Sequence, residues 1–234
     1  MLLQWSAPEY VPRSFLVSGV SGTNKAVKQT DTSFRLTKQV ADGLVDMQEV
    51  SKGLFLVQSE MAFKKETELC EEYPERKVFQ LSFCMNGICE WDYRQKRGEH
   101  YQLSPTQCSL QCGTFSQCVS RFGSEEPYRT LSISLEQERF LPLAEDLEAA
   151  HLIRRDNKIC THIFSTTPEI RLVLQQLLDC PPERKLRKLY LEGKVLELVS
   201  LFCEEAIGKQ KNDKEISRED YRCLMKEIGR ASCR

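Results

Sequence analysis

The cysteines are the residues in this sequence whose type and spacing best suit chemistry. The chain has 11 of them among 234 residues, and the two shortest spacings separate Cys84 from Cys89 and Cys108 from Cys112. Thiolates so close along a chain can ligate zinc or oxidise to a disulfide. However, the sequence contains no Cys-x-x-Cys pair, and the total is odd. This pattern favours reduced core cysteines in a cytoplasmic protein, with a redox or metal role for these four thiols as the alternative.

The histidines and nucleophilic residues do not form a pattern typical of an active site. His100, His151 and His162 are scattered along the chain, whereas a metal site would be expected to use several at short spacing. The sequence also lacks a glycine-rich phosphate loop, the zinc-protease helix motif and the Gly-x-Ser-x-Gly nucleophile motif. We therefore expect a protein that is not an enzyme, with no catalytic residues, no metal and no cofactor.

An Asn86-Gly87 dipeptide predicts a two-residue hairpin turn, because both central residues of such a turn need positive φ. In the predicted ladder Cys84 faces Cys89, and successive residues alternate between the two faces. One face then carries four side chains that could stack on a polar ligand or hydrogen-bond to it: Gln80, Ser82, Trp91 and Tyr93. An ordinary half-buried hairpin would show the same pattern, so this alternative stays open.

The composition is that of an ordinary globular protein, with 41% hydrophobic and 29% charged residues. Lys and Arg number 33 against 34 Asp and Glu, which gives a net charge of −1 and no basic excess of the kind typical of nucleic-acid binding. No apolar run approaches the ~20 residues of a membrane span, and no secretory signal is recognisable. We expect a cytoplasmic protein with no membrane partner.

Turn signals divide the middle of the chain into short strands. Residues 1–41 are expected to be an irregular lead-in with one strand near 34–36, and residues 42–165 to form one strand-rich domain. The predicted strands are 53–63, 77–85, 88–94, 101–103, 107–112, 115–122 and 128–135. Many short strands at nearly even spacing predict a β-sandwich or β-barrel.

The pattern becomes helical after this region. Thr167 is a good N-cap and Pro168 suits the first helical position, so a helix is predicted from there to Pro181-Pro182. A longer helix is predicted over 184–207, and its broad apolar stripe indicates contact with the barrel on one side and with a helix or second subunit on another. An equally supported alternative is that this helix contacts only one partner, within the same chain. Together these helices define a dimerisation region, 166–208.

The last part of the chain divides into three short segments. A polar linker is expected at 209–216, and Ser217 begins a third predicted helix over 217–226 with an acidic residue three positions on. The final segment, 227–234, has neither apolar residues at helical spacing nor a residue that would cap a helix. It reads as the translation of a sequencing adaptor, so the natural chain is expected to continue beyond Lys226.

Two motifs resemble the AraC/XylS family of transcription regulators, especially its pyochelin-regulator-like branch. The first is RKLYLEGKVLEL at residues 187–198, and the second is ISRED at residues 216–220, after the polar linker. In that branch a helix of the first type precedes a helix of the second type, which opens the DNA-binding module. The strand region is similar only in pattern, and the similarity covers most of residues 42–226.

The resemblance implies an α+β fold, with a cupin-like or jelly-roll barrel followed by an antiparallel helix pair and the start of a third helix. It implies a homodimer, to which we assign the apolar stripe Leu186, Leu189, Tyr190, Leu196, Val199 and Cys203. It also implies a small-molecule effector in the barrel and operator DNA bound by two helix-turn-helix motifs. Because the sequence stops within the first helix of that module, this fragment is expected to contain no DNA-binding residues.

Two other interpretations remain at this stage. One is a cupin-fold protein or enzyme that binds a metal or small molecule. The other is a regulator that responds to oxidation or metals through its cysteines. Against these, the leading interpretation is the ligand-sensing and dimerisation part of an AraC-family regulator.

Overall fold

The computed structural model describes residues 14–17, 27–29, 33–36, 41–93, 99–154, 156 and 158–215. The predicted third helix at 217–226 and the predicted artefact segment at 227–234 lie outside the described residues.

Strands make up most of the described chain, and three helices complete it. The strands are β1 (Ser14–Val17), β2 (Val27–Gln29), β3 (Ser33–Leu36), β4 (Ala41–Ser51), β5 (Leu54–Phe63), β6 (Thr67–Asn86), β7 (Cys89–Tyr93), β8 (Tyr101–Leu103), β9 (Gln107–Phe122), β10 (Tyr128–Leu135) and β11 (Cys160–Ser165). The helices are α1 (Gln137–Ala149), α2 (Pro168–Leu178) and α3 (Arg187–Glu215).

The strands form one continuous sheet whose neighbours are antiparallel. Its order is β2-β3-β4-β5-β10-β6-β9-β7-β8, with β1 added to β6 and β11 added to β9. The two longest strands, β6 and β9, pair with each other over most of their length, with a register shift between Glu72 and Arg76. The α+β prediction of a cupin-like barrel followed by helices is therefore confirmed.

Two hydrophobic clusters lie on opposite faces of this sheet. The first joins the sheet to all three helices and includes Phe79, Leu81 and Phe83 of β6. The second is enclosed by the curled sheet and includes Cys84 of β6 and Trp91 of β7. Because side chains alternate along a strand, odd-numbered residues of β6 from Phe79 to Phe83 point to the helices and even-numbered ones point into the barrel.

The helices are held against the outer face of the barrel by aromatic contacts. Phe202 of α3 meets Phe83 edge-on at 6.2 Å and Phe164 edge-on at 5.6 Å between ring centroids. Phe140 of α1 stacks on Phe79 at 5.3 Å. Such ring pairs stabilise the contact beyond the area they bury, so these contacts fix α3 and α1 on the β6 and β11 side.

The predicted hairpin at Asn86-Gly87 is wrong in its pairing. Gly87 does adopt a positive φ of 71°, and Asn86 Nδ2 donates to Pro127 O at 2.7 Å. However, β6 pairs with β1, β9 and β10, while β7 pairs with β8 and β9. The turn therefore directs the chain into a different part of the sheet, and Cys84 is not the cross-strand partner of Cys89.

Three other boundaries differ from those predicted. The described residues of the lead-in form β1, β2 and β3, of which β3 agrees with the strand predicted near 34–36. The predicted strands 107–112 and 115–122 are one strand, β9, because Gly113 continues the ladder with a φ of 130°. The predicted linker 209–216 is helical as far as Glu215, and its polar residues prolong α3 instead of ending it.

Helix α1 was not predicted, and its sequence explains why. Pro142 lies inside it, where a proline removes a backbone hydrogen bond and normally argues against a helix. Only Phe140 and Leu147 of this helix are fully buried, so its apolar stripe is narrow. Tertiary packing of Phe140 on the barrel decides the conformation of this segment.

Candidate functional site

The candidate ligand-binding residues lie in two adjacent rows on the inner face of the barrel. Cross-strand register aligns one row across β10, β6 and β9, and the next across β10, β6, β9 and β11. The first row is Ser132, Ser82 and Ser109, and the second is Ser134, Gln80, Gln111 and Thr161. We call these seven residues the polar rows; none of their side chains carries a charge.

Hydrogen bonds connect most of the polar rows. Gln80 Nε2 donates to Ser82 Oγ at 3.0 Å, and Ser132 Oγ donates to the same oxygen at 2.9 Å. Ser134 Oγ donates to Gln80 Oε1 at 3.4 Å. Because their hydrogen-bonding atoms are paired with one another, Gln80 and Ser82 act here as parts of a rigid surface.

Aromatic residues of β7 and β8 face the polar rows. The Tyr93 hydroxyl donates to Gln111 Oε1 at 3.0 Å, and Trp91 stacks on Tyr101 with ring centroids 5.6 Å apart. Burial raises the pKa of Tyr93 well above its ordinary value, so its hydroxyl remains a hydrogen-bond donor at any physiological pH. The interior thus offers hydrogen-bonding groups and aromatic rings on facing strands.

The structure places Gln80, Ser82, Trp91 and Tyr93 on the inner face of the sheet, on two strands separated by β9, although the predicted hairpin does not exist; their role in ligand binding stays a prediction. Alternation along each strand was sufficient, because Cys84 and Cys89 both lie in the cluster inside the barrel, so the even-numbered residues of β6 and the odd-numbered residues of β7 point inward. Ser109, Gln111 and Thr161 were not among the predicted site residues. The alternation of polar and apolar residues over 107–112 is the signal that could have indicated the first two.

The four candidate cysteines do not form one site. Cys84 and Cys89 belong to the cluster inside the barrel, whereas Cys108 and Cys112 belong to the cluster under the helices. Burial raises the pKa of Cys84 to about 11 and that of Cys108 to about 12, and a protonated thiol is a weak nucleophile and metal ligand. Within the described residues, no three His, Cys, Asp or Glu side chains are grouped as a metal site would require.

The histidines lie in three separate places. His100 Nε2 is 3.5 Å from Glu90 Oε2 at the surface, and the His162 ring stacks near Phe164. His151 lines an open surface cleft at the end of α1 together with Arg154 and Asp156, which form their own ion pair at 2.7 Å. None of the three lies on the polar rows.

The predicted dimer residues divide into two groups. Leu186, Leu189 and Leu196 are 77%, 65% and 45% exposed, and Tyr190 is half-buried. Val199 and Cys203 instead belong to the core under the helices, which corrects their assignment to an interface. The helical period explains the difference, since these two positions fall on the face that packs on the sheet.

The N-terminal part of α3 is tied directly to the barrel. Arg187 Nη1 donates to Gln48 Oε1 of β4 at 2.9 Å. Arg139 of α1 lies 3.7 Å from Glu192 of α3 and also donates to Lys52 O, in the turn between β4 and β5, at 2.7 Å. These polar contacts link the position of α3 to that of the β4–β5 turn.

A family comparison identifies the chain. The sequence profile described as "Regulatory protein PchR N-terminal domain" matches residues 42–217, which is most of the chain. The chain belongs to this family. The resemblance to AraC-family regulators noted from residues 187–198 and 216–220 is thereby confirmed.

Solved structures show where this PchR-type domain stands among known folds. The AraC-like transcriptional activator CuxR aligns at 9% identity over 80% of this chain and 61% of its own, with a TM-score of 0.49. An apo ToxT variant from Vibrio cholerae aligns at 12% identity over 70% of this chain and 59% of its own, with a TM-score of 0.51. The ToxT likeness shows the fold, and the chain spans less than two thirds of either structure.

Two further observations concern this PchR-type domain. No curated protein sequence matches it significantly. None of the described helices combines the length and the apolar character needed to cross a lipid bilayer.

Proposed function

We propose that this chain is the effector-sensing and dimerisation part of an AraC-family transcription regulator that acts in the cytoplasm. A small molecule binds on the inner face of the barrel, and operator DNA is bound by a helix-turn-helix module whose first helix is predicted at 217–226. The domain regulates and does not catalyse. The observation that carries the proposal is the set of uncharged polar rows facing aromatic rings inside the barrel of a PchR-type domain.

The effector must favour one of two arrangements of α3 if it is to change DNA binding. Polar groups join the first turns of α3 to β4 and to the β4–β5 turn through Arg187 and Glu192, while the apolar residues farther along pack on the sheet. A shift of the barrel strands therefore acts on α3 at its beginning. Because α3 leads toward residues 217–226, where the first helix of the DNA-binding module is predicted, it is the element that would carry the signal.

The outer face of α3 is the dimer surface that we propose. Leu189, Gly193, Leu196 and Ser200 follow one another at intervals of four, three and four residues and are all exposed, so they form one stripe. A Cβ added at Gly193 would meet nothing within 4 Å, so the chain itself gives no reason for a glycine there. A glycine in mid-helix destabilises the helix by about 1 kcal/mol relative to alanine, but it allows a second helix to approach closely.

A fusion experiment tests the proposed function. The 234-residue chain is joined to a helix-turn-helix domain that binds its operator only when a partner dimerises it, and repression of a reporter gene is measured. We expect the fusion to repress. The double substitution Leu189→Glu and Leu196→Glu should abolish repression, because four charges would be buried at the interface of the dimer.

The matched control is Leu172→Glu, which places a charge on an equally exposed leucine of α2 (61% exposed). Analytical ultracentrifugation of the unfused chain gives the same comparison directly. A chain that is monomeric at micromolar concentration, or a dimer indifferent to the α3 substitutions, would contradict the proposed surface.

A further inference from the structure

The register of β9 and β11 places two cysteines opposite each other. Cys160, the first residue of β11, is the direct cross-strand partner of Cys112 on β9. Among the described strand pairings, this is the one position at which a cysteine faces a cysteine. Both side chains lie in the cluster under the helices. The sheet therefore brings together two thiols that are 48 residues apart in the chain.

The separation of the two residues suits a disulfide bond. Directly opposed residues of an antiparallel pair have Cα atoms about 4.5–5.5 Å apart, and a disulfide requires about 4.4–6.8 Å. The strands are also tightly packed here, because a Cβ added at Gly113 would lie 2.5 Å from the Cα of Ile159. The Cys160 side chain already leans toward its partner, since its Sγ donates to Cys112 O at 3.2 Å. Rotation of the two side chains is therefore enough to bring the sulfur atoms together.

Cys160 lies beside an open surface cleft of about 850 Å³ at the end of α1. Its Sγ also donates to Leu152 O at 3.4 Å, and the next two residues, Ile153 and Arg154, line the cleft. The pKa of Arg154 is raised chiefly by its hydrogen bond to Asp156 and to a smaller extent by Cys160, so the guanidinium and the thiol interact. A neighbouring cation favours the thiolate, which is the reactive form of cysteine.

We propose that Cys112 and Cys160 form a reversible disulfide when the protein meets a hydroperoxide. The Cys160 thiolate attacks the terminal peroxide oxygen, the O–O bond breaks, and an alcohol or water leaves with the thiol proton. The sulfur of Cys112 then attacks the resulting sulfenic acid, the S–O bond breaks, and water leaves with the second thiol proton. Two thiols thus lose two electrons and the hydroperoxide gains them.

The order of the two steps follows from the position of each thiol. Cys160 is 8% exposed and next to the cleft, whereas Cys112 is 2% exposed, so Cys160 meets the peroxide first and Cys112 resolves the sulfenic acid. Disulfides in the cytoplasm are usually transient and serve redox sensing. The inference goes beyond the proposed function, because it requires no effector.

The disulfide would change what holds the neighbouring elements. Oxidation removes the Cys160 S–H group and with it the hydrogen bond to Leu152 O, in the segment that follows α1. It also fixes β11 covalently to β9, and β11 carries Phe164, whose ring packs on Phe202 of α3 at 5.6 Å. The restraint on the end of α1 would therefore weaken while the strand beneath α3 becomes more rigid.

The first test identifies the linked residues in the unsubstituted protein. The reduced 234-residue chain is exposed to hydrogen peroxide at neutral pH, the remaining thiols are alkylated, and the protein is digested with trypsin and chymotrypsin. We expect tandem mass spectrometry to find one linked pair of peptides, which contains Cys112 and Cys160 and which dithiothreitol separates. In urea the preference for this pair should disappear, because the sheet no longer aligns the two thiols.

Substitutions test the order of the two steps. Cys112→Ser should leave a sulfenic acid on Cys160, which dimedone labels, whereas Cys160→Ser should leave Cys112 unlabelled. The matched control is Cys108→Ser, since Cys108 is also buried on the helix side of β9 but faces Phe164 across the strands. This control should form the Cys112–Cys160 link as the unsubstituted protein does.

The cleft is tested separately at Arg154. Arg154→Gln removes the cation near Cys160 and should slow formation of the link severalfold, while Arg154→Lys should restore most of the rate. An unchanged rate in the glutamine variant would contradict the assignment of Cys160 as the attacking thiol. Pairing of either cysteine with a different thiol in the folded protein, or a link that forms only in urea, would overturn the proposal. The reporter fusion tests the regulatory function independently of either result.

Discussion

At the residue scale, Thr106 adopts a conformation that its side chain disfavours. Its φ is 68°, and it follows Pro105 in a turn closed by Gln107 N donating to Ser104 O at 3.1 Å. Glycine is the usual residue at such a position, because a β-branched residue with positive φ is strained. The Thr106 carbonyl nevertheless accepts from both the backbone N–H and the hydroxyl of Thr166 at 2.9 Å each, so the turn is held against β11.

Thr106→Gly should stabilise the protein by about 1 kcal/mol. The substitution removes backbone strain of roughly 1–2 kcal/mol, which exceeds the roughly 0.5–1 kcal/mol that the greater freedom of glycine in the unfolded chain costs, and the Thr106 side chain is exposed. Urea denaturation measures the change. Thr106→Ala is the control, since alanine keeps most of the strain, and equal stability of the two variants would contradict the explanation.

The inner-face residues show what a sequence reveals at this scale. Because side chains alternate along a strand, residues two apart share a face, and this predicts that Gln80 lies on the same face as Ser82 and Trp91 on the same face as Tyr93. This alternation does not reveal which strands are neighbours in the sheet, so the contact between Tyr93 and Gln111 could not be predicted. Partner strands far apart in the chain, such as β9 and β11, are fixed by packing of the whole barrel.

At the element scale, α2 depends on local signals and α3 on its packing. Thr167 Oγ1 accepts from Ile170 N at 3.3 Å, and Pro168 follows it at the first helical position, both as predicted. The end of α2 at Leu178 is also consistent with the two prolines that follow. Helix α3 continues beyond its predicted end at 207 as far as Glu215, and Ala206, just before that predicted end, is still buried.

Thr167→Ala should destabilise the protein by about 1 kcal/mol, because it removes the side-chain acceptor that caps α2. The free energy of unfolding is obtained from urea denaturation followed by circular dichroism. Thr167→Ser retains the hydroxyl oxygen and should lose only a small part of that stability. If the serine variant is as unstable as the alanine variant, the hydroxyl is not what stabilises this end of the helix.

Two elements contain a residue that contradicts the observed structure locally, and they were missed or divided in the prediction. Helix α1 contains Pro142, and β9 contains Gly113, whose missing Cβ is required because it would lie 2.5 Å from the Cα of Ile159. Each residue normally indicates an interruption. In both cases the long-range contact that overrides the local preference is invisible in a window of neighbouring residues.

At the scale of the whole molecule, the two cores share the sheet between them and contain most of the described cysteines. Burial raises the pKa of Cys108 and of Cys203 from 9.0 to about 12. In the unfolded chain these thiols ionise near pH 9, while in the folded chain they stay protonated. Stability is therefore complete below about pH 9 and falls as the pH rises toward the folded pKa.

The expected fall is about 1 kcal/mol per thiol for each pH unit above about pH 9. Urea denaturation at several pH values between about 8 and 10 measures it. The double variant Cys108→Ala and Cys203→Ala should show a shallower fall, whatever its stability at neutral pH. Parallel curves for the two proteins would show that these thiols titrate alike in both states.

Strand β9 contributes side chains to both hydrophobic cores. Cys108, Leu110 and Cys112 face the helices, and Ser109 and Gln111 face the barrel interior. Adding or deleting one residue between 108 and 112 would exchange the two sets, so that serine and glutamine would face the helices and leucine would face the barrel interior. This segment must therefore keep its length as the protein diverges, and the lining of the barrel can change there only by substitution, with changes in length confined to the turns.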